Sequence, residues 1–285
     1  MIRVENLSYT YPRGLSPALS DLSFKISPGE IFGLIGPSGA GKSTLQKLLT
    51  GLLPTFEGSM TIWNYDMHRL PRSFYNMIGV VFETADFYEK LTAVENLEFF
   101  GSLYKQTTGD PMYWLERFGL IEAAHQRVGS FSKGMKMRLS LCRALQHEPQ
   151  LLLLDEPTSG LDPSWSVVVK DILKEQQEKG VTIVLSTHHM SVAQDICDQL
   201  AFIVDGAIPV IAPPKQLQLL YGQKRISLTI NSGEEREEVV VAFDDYDRHS
   251  IITEALQAGT LETIHSQEAS LDDVFIHVTG RKLDG

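Results

Sequence analysis

The run Ile31-Phe32-Gly33-Leu34-Ile35-Gly36-Pro37-Ser38-Gly39-Ala40-Gly41-Lys42-Ser43-Thr44 decides the reading of this chain. Ile31 to Ile35 has the apolar character of a buried strand, and Lys42 to Thr50 has the pattern of a helix. Between them, Gly36 to Ser43 fits G-x-x-x-x-G-K-S, and strand–loop–helix is the context that motif requires. Its glycines let the backbone wrap closely around phosphates with N–H groups pointing inward. The helix N-terminus adds positive potential. Gly36, Ser38, Gly39, Ala40, Gly41, Lys42, Ser43 and Thr44 are therefore the expected nucleotide-binding residues. Lys42 is placed to reach the β- and γ-phosphates, and the Ser43 hydroxyl to ligate Mg²⁺.

Two more strand ends complete the expected chemistry. Leu151-Leu152-Leu153-Leu154 is an apolar run ending in Asp155-Glu156. At such a tip Asp155 can support Mg²⁺, and Glu156, one step further, can orient a water and accept its proton. Val181 to Leu185 runs through Ser186-Thr187 to His188. Strand ends on one edge of a parallel sheet converge on the ligand crevice, so His188 is expected between the γ-phosphate and the catalytic carboxylate, with His189 the alternative.

Further short apolar strands, Met77 to Phe82 and Leu200 to Val204, alternate with helical patterns at Val94 to Tyr104, Ser132 to Gln146, Ser164 to Glu178 and Met190 to Cys197. That alternation predicts an α/β fold with a mainly parallel sheet. Ile2 to Leu7 and Leu22 to Ile26 alternate apolar and polar, which predicts a small N-terminal antiparallel β subdomain. Residues from about 86 to 146 break the strand–helix rhythm and read as an inserted helical subdomain. In its last helix, the pattern puts Met135, Leu139, Cys142 and Leu145 on the apolar face. After Pro213-Pro214 a short helix is followed by strands at Ile226 to Ile230, Glu238 to Phe243 and Leu261 to Ile264. Helices are expected at Arg248 to Ala258 and around Leu271, Val274, Phe275 and Val278. The expected domains are thus residues 1–222 and a small α+β domain, 223–285.

The charge is uneven in the same way. The net charge is −11. From Ser232 onward 13 acids face 4 bases, so the body is close to neutral and the tail acidic. A broadly basic nucleic-acid binder is excluded, because phosphate neutralisation needs clustered Lys and Arg. No apolar stretch approaches the roughly 20 residues of a membrane span. Cys142 and Cys197 have no metal-ligand partners nearby and read as reduced, buried thiols.

Phe131-Ser132-Lys133-Gly134-Met135 opens a helix. Ser132 suits an N-cap, and a Ser-x-Gly helix start beside Lys133 also suits an anion. The nucleotide of this chain already has a complete cradle, so this second tip points to a nucleotide on a partner chain. Taken in order, Gly36 to Thr44, Phe131 to Met135, Leu151 to Glu156, Ser159-Gly160-Leu161-Asp162 and Ser186-Thr187-His188 resemble the ATP-binding subunit of an ATP-binding-cassette (ABC) transporter, and in particular the multidrug and antibiotic exporter branch. The resemblance covers residues 1 to about 220 densely. Ser270 to Phe275 and Thr279 to Arg281 resemble that branch's accessory domain more weakly.

The resemblance implies an ATP- and Mg²⁺-dependent ATPase with a P-loop core. Tyr11 would stack on adenine, with Tyr9 as the alternative. Ser43 and Asp155 would serve the metal, Glu156 would be the base, and His188 would sense the γ-phosphate. Two cassettes, identical or different, would pack head to tail. Ser132, Lys133 and Gly134 would then face ATP on the opposing P-loop, and Asp162 would link the two sites. The partner would be a separate polytopic membrane subunit, placing the chain in the cytoplasm against the inner face of the cell membrane. Glu83 departs from the family's glutamine at the end of the Met77 to Phe82 strand. A carboxylate there can still ligate Mg²⁺ but adds negative charge near ATP and removes a donor. Met137 stands where glutamine is common. A non-transport cassette acting on ribosomes or DNA is the alternative; such proteins usually carry two cassettes or long insertions.

Overall fold

The computed structural model describes residues 1–84, 86–105, 108–221, 225–231, 236–242, 249–267 and 269–282. The chain divides into two compact units, Met1–Ile211 and Ala212–Lys282.

The first unit begins with β1 (Ile2–Tyr9), β2 (Leu19–Ile26), β3 (Ile31–Ile35) and α1 (Lys42–Leu49). β4 (Glu57–Ile62), β5 (Tyr65–Asp66) and β6 (Ile78–Val81) lead into the helical insertion of α2 (Ala93–Gly101), α3 (Pro111–Arg117) and α4 (Lys133–Leu145). β7 (Leu151–Asp155), α5 (Pro163–Glu178), β8 (Thr182–Thr187), α6 (Met190–Ile196), β9 (Gln199–Val204) and β10 (Ala207–Ala212) follow.

Two sheets result. The first has the order β2-β1-β4-β5 and is antiparallel throughout. Its alternating residues Ile2, Val4, Leu22, Phe24, Met60 and Ile62 are all buried and join one cluster with Phe32, Leu34, Leu45 and Leu48. Phe24 stacks on Phe32 at 5.6 Å between ring centroids. The second has the order β10-β9-β3-β8-β7-β6, in which β3, β6, β7, β8 and β9 pair in parallel. Every residue of β3, β7 and β8 is buried, as a sheet covered on both faces demands. Registers Ile35↔Thr187 and Asp155↔Ser186 bring the C-terminal ends of β3, β8 and β7 side by side.

Helix starts in the insertion carry side-chain caps. Thr92 and Glu95 form a capping box on α2, Asp110 caps α3 with Pro111 at its first position, and Ser132 caps α4. The structure corrects the expected face of α4. Met135 is only half-buried, whereas Met137 is 2% exposed, and Leu139, Leu141, Cys142, Ala144 and Leu145 are buried with it. The helix is enclosed over most of its circumference, so an apolar residue at position 137 is a packing choice. Both cysteines are free, buried thiols.

The second unit holds α7 (Pro214–Tyr221), β11 (Arg225–Asn231), β12 (Arg236–Ala242), α8 (His249–Gln257), β13 (Leu261–Gln267) and α9 (Leu271–Thr279). Its strands form an antiparallel sheet in the order β12-β11-β13. Leu271, Val274 and Phe275 are the buried face of α9. Phe243 and Arg248, expected as a strand end and a helix start, lie outside the described residues, as do residues 222–224 around the expected boundary. Among the described residues, no helix is long and apolar enough to cross a membrane.

Candidate nucleotide-binding site

The loop between β3 and α1 is held by backbone packing that leaves no room for side chains. A Cβ on Gly36 would lie 2.1 Å from the Ile203 carbonyl oxygen. Gly41 has φ +112, and a Cβ there would meet Leu19 Cδ2 at 2.7 Å and the Ala18 oxygen at 2.9 Å. The turn between β9 and β10 braces the same loop: the Gly206 N–H donates to Ala40 O at 3.0 Å, and Ser20 N–H donates to Gly206 O at 2.8 Å. The glycines at 36 and 41 are thus steric requirements of the brace.

A cleft of about 490 Å³ opens over this loop, and Ser38, Gly39, Gly41, Lys42, Ser43 and Thr44 form its floor. Tyr11, Ala18, Glu83, Asp155, Glu156 and His188 form its walls. The Lys42 ammonium donates to Gly36 O at 2.5 Å and Pro37 O at 3.0 Å. Burial pulls Lys42 below the usual lysine range, against the opposing pull of the Glu156, Asp155 and Glu83 carboxylates. The Tyr11 hydroxyl lies 3.1 Å from Thr44 Oγ1. Tyr9 is buried, packed edge-to-face against Tyr11, so of the two aromatics only Tyr11 borders the cleft.

Asp155 and Glu156 are fixed by their neighbours. The Ser186 hydroxyl donates to Asp155 Oδ1, and Gln46 Nε2 donates to Leu154 O at 2.7 Å and to Ser186 Oγ at 3.1 Å. Glu156 adopts φ +50, a left-handed backbone that costs a non-glycine residue on the order of 1–3 kcal/mol. Its carboxylate accepts from Thr187 Oγ1 at 3.0 Å, from the His188 N–H at 3.0 Å and from His188 Nδ1 at 2.8 Å. His188, not His189, is therefore the histidine on Glu156.

Ser43, Asp155 and Glu83 present only oxygen donors to one cleft, two of them carboxylates, which is the donor set of a hard divalent cation such as Mg²⁺. Gly36 and Ala40 belong to the loop without lining the cleft. Ser132, Lys133, Gly134 and Asp162 lie outside it. Ser132 Oγ accepts from the Met135 N–H at 3.2 Å, and Asp162 Oδ1 accepts from the Trp165 N–H at 3.0 Å and from Ser164 Oγ at 2.5 Å. Both are helix N-caps. The hydrogen bonds from Ser164 and Trp165 hold the Asp162 carboxyl below its ordinary range. Lys133 and Gly134 pack on the turn before Asp162: the Lys133 stem lies against Gly160, Lys133 Nζ reaches Ser159 Oγ at 3.4 Å, and a Cβ on Gly134 would meet Gly160 O at 2.8 Å.

The sequence reading missed Ala18, which contributes backbone, and Gln46 and Ser186, which stand behind Asp155. Gln46 left a signal as a polar residue within the buried pattern of α1, and Ser186 stood in the Ser186-Thr187-His188 motif without a role of its own.

A phosphate-binding loop, an acidic strand tip and a histidine joined to its carboxylate on adjoining parallel strands define a P-loop nucleoside triphosphatase. Comparison with known proteins narrows this. The model of the ABC transporter family matches residues 19–159. A fluoroquinolones export ATP-binding protein of Mycobacterium tuberculosis is 45% identical over 284 residues, spanning 99% of this chain and 94% of that protein. The linearmycin resistance ATP-binding protein LnrL of Bacillus subtilis is 32% identical, spanning 99% of both. Among solved structures, a dimeric post-hydrolysis ATP-binding cassette bound to ADP and phosphate superposes with a TM-score of 0.69 at 28% identity, covering 75% of this chain and 98% of that one. This chain belongs to the ABC transporter family and is one of its ATP-binding cassettes.

Proposed function

We propose that this chain is the Mg²⁺-dependent, ATP-hydrolysing subunit of an exporter, and that it drives a separate polytopic membrane subunit from the cytoplasmic face of the membrane. Export is supported by the names of its full-length relatives. Hydrolysis is supported above all by Glu156. Its carboxylate sits at the tip of β7, oriented by three hydrogen bonds, in the cleft that holds Lys42.

In this reading Tyr11 covers the adenine, and the loop amides with Lys42 hold the β- and γ-phosphates. Ser43, Asp155 and Glu83 hold Mg²⁺, which when bound offsets phosphate charge. Glu156 accepts the proton of the attacking water. His188 donates from Nδ1 to Glu156 and orients it, and its ring borders the space where the γ-phosphate enters. A second cassette brings Ser132, Lys133 and Gly134 to this ATP. Because Lys133 and Gly134 are packed on the turn leading to Asp162, the two partner-facing segments travel together. Residues 1–222 act as the catalytic cassette and 223–285 as an accessory domain.

Glu156→Gln tests the reading. The amide keeps the size and loses the base, so hydrolysis is expected to fall at least about 100-fold. ATP binding should persist, and an ATP-bound dimer should accumulate in size-exclusion chromatography. Retained hydrolysis would remove Glu156 as base.

A further inference from the structure

Beside the oxygen-only set at Ser43, Asp155 and Glu83, a second cluster mixes imidazole with carboxylate. His188 and His189 follow directly on β8. In an extended strand consecutive side chains point to opposite faces. Here the chain turns instead: the His189 N–H donates to Thr187 Oγ1 at 3.0 Å, and the two imidazoles come together with ring centroids 4.0 Å apart. Both face the buried carboxylate of Glu156. One donor atom each from Glu156, His188 and His189 lies within 4.8 Å of the other two.

Two imidazoles and one carboxylate form the three-ligand set that binds zinc with a fourth position left to water. Around an ion with bonds of about 2.0–2.2 Å, tetrahedral donors stand roughly 3.3–3.5 Å apart. His188 Nδ1 lies 2.8 Å from Glu156 Oε1, so an ion would take the place of the hydrogen-bond proton, which leaves to solvent, as the donors spread to that spacing. His188 and His189 are exposed, so an ion can enter and the rings can turn, while Glu156 anchors the site from within. Imidazole selects a borderline-soft ion over Mg²⁺, which keeps the two cation positions chemically separate.

We propose that Glu156, His188 and His189 form an inhibitory site for Zn²⁺ or a similar transition-metal ion. The ion ties up the carboxylate, so hydrolysis stops while the phosphate loop stays able to bind ATP. The inhibitory consequence rests on the proposed role of Glu156; the site itself does not.

The test uses the untagged full chain. Zn²⁺ at micromolar concentration, with Mg²⁺ and ATP saturating, is expected to inhibit hydrolysis, and a zinc-selective chelator to restore it. Binding of a fluorescent ATP analogue should be unchanged. His189 lines no part of the nucleotide cleft, so His189→Ala should keep the basal rate and need at least tenfold more Zn²⁺ for the same inhibition. Without nucleotide, Co²⁺ should give the intense visible bands of a low-coordinate site in the parent and not in His189→Ala. Equal Zn²⁺ sensitivity of parent and variant, or displacement of the ATP analogue by Zn²⁺, would overturn the proposal. So would the weak bands of six-coordinate Co²⁺ in the parent. Absence of hydrolysis before any Zn²⁺ is added would count against the proposed function instead, and the Co²⁺ spectrum would still decide the site.

Discussion

Replacing Trp165 with alanine should loosen the helical insertion from the rest of the cassette. Trp165 lies in the first turn of α5, directly after the Asp162 cap. The Arg138 guanidinium of α4 lies over its ring at 4.2 Å from the centroid. Arg138 Nη1 also donates to Phe118 O at 2.7 Å and Gly119 O at 3.3 Å. Gly119 also packs on the indole, where a Cβ would fall 2.1 Å from Trp165 Cη2. One indole thus joins α4, α5 and the end of α3. A half-desolvated cation–π pair contributes about 1 kcal/mol. Truncating a fully buried Trp costs about 3–5 kcal/mol, and this half-buried one roughly half of that. The sum is about 2.5–3.5 kcal/mol, or about 5–14 °C in the melting temperature of a unit this size. The assay is a far-UV circular dichroism melt, since Trp165 is one of only three tryptophans and fluorescence would change for trivial reasons. Trp165→Phe should recover part of the loss, and Arg138→Met should cost less in the Trp165→Ala background than in the parent, because there only its hydrogen bonds to Phe118 O and Gly119 O remain to be lost. Because Trp165 lies outside the nucleotide cleft, kcat should fall with KM for ATP nearly constant. A Trp165→Ala melt within about 1 °C of the parent would refute the reasoning.

Three further outcomes follow from the site and its supports. Gly36→Ala forces a Cβ onto the Ile203 carbonyl and should abolish ATP binding or folding, read by nucleotide titration beside a thermal melt. Glu83→Gln removes one carboxylate from the cleft; turnover should rise and the Mg²⁺ concentration for half-maximal rate should shift upward, so unchanged kinetics over a Mg²⁺ series would oppose a role for Glu83. His147, stacked on Tyr104 with Nε2 donating to Ile78 O at 2.9 Å, is pushed by burial down to about 4. The unfolded chain therefore takes up its proton first as pH falls from about 6.5 to about 4, costing about 1.4 kcal/mol per pH unit in that window, and His147→Phe should flatten this part of the stability profile in urea titrations.

The strands that carry the site were legible because they are continuous apolar runs with chemistry at their ends: β3, β7 and β8. Three strands were not, the shortest being the two-residue β5. Glu57–Ile62 starts with three exposed residues, so the alternation of β4 is too short to register. Ala207–Ala212 contains Pro209, which a central strand would reject and which β10 tolerates at the edge of its sheet. In the site, the side chains that line the cleft were legible, including the unusual Glu83, whereas Gln46 and Ser186, which support Asp155 from behind, were not. Ala18 acts through its carbonyl against Gly41 and Gly206, and a backbone contact leaves no trace in residue type. The choice of Met135 over Met137 for the buried face of α4 failed because a helix enclosed on most sides has no single apolar stripe. Ser132 read correctly as an N-cap, whereas the capping role of Asp162 on α5 was not read from the sequence.

The backbone at Glu156 sets a conflict between persistence and work. A left-handed conformation favours glycine or asparagine, and Glu156 holds it at the position proposed above for the base. Any programme that selects variants of this protein for heat resistance alone will find that residue among its easiest improvements on backbone grounds. If Glu156 is the base proposed above, such variants would bind ATP without hydrolysing it, so heat selection has to be run with turnover as a second criterion.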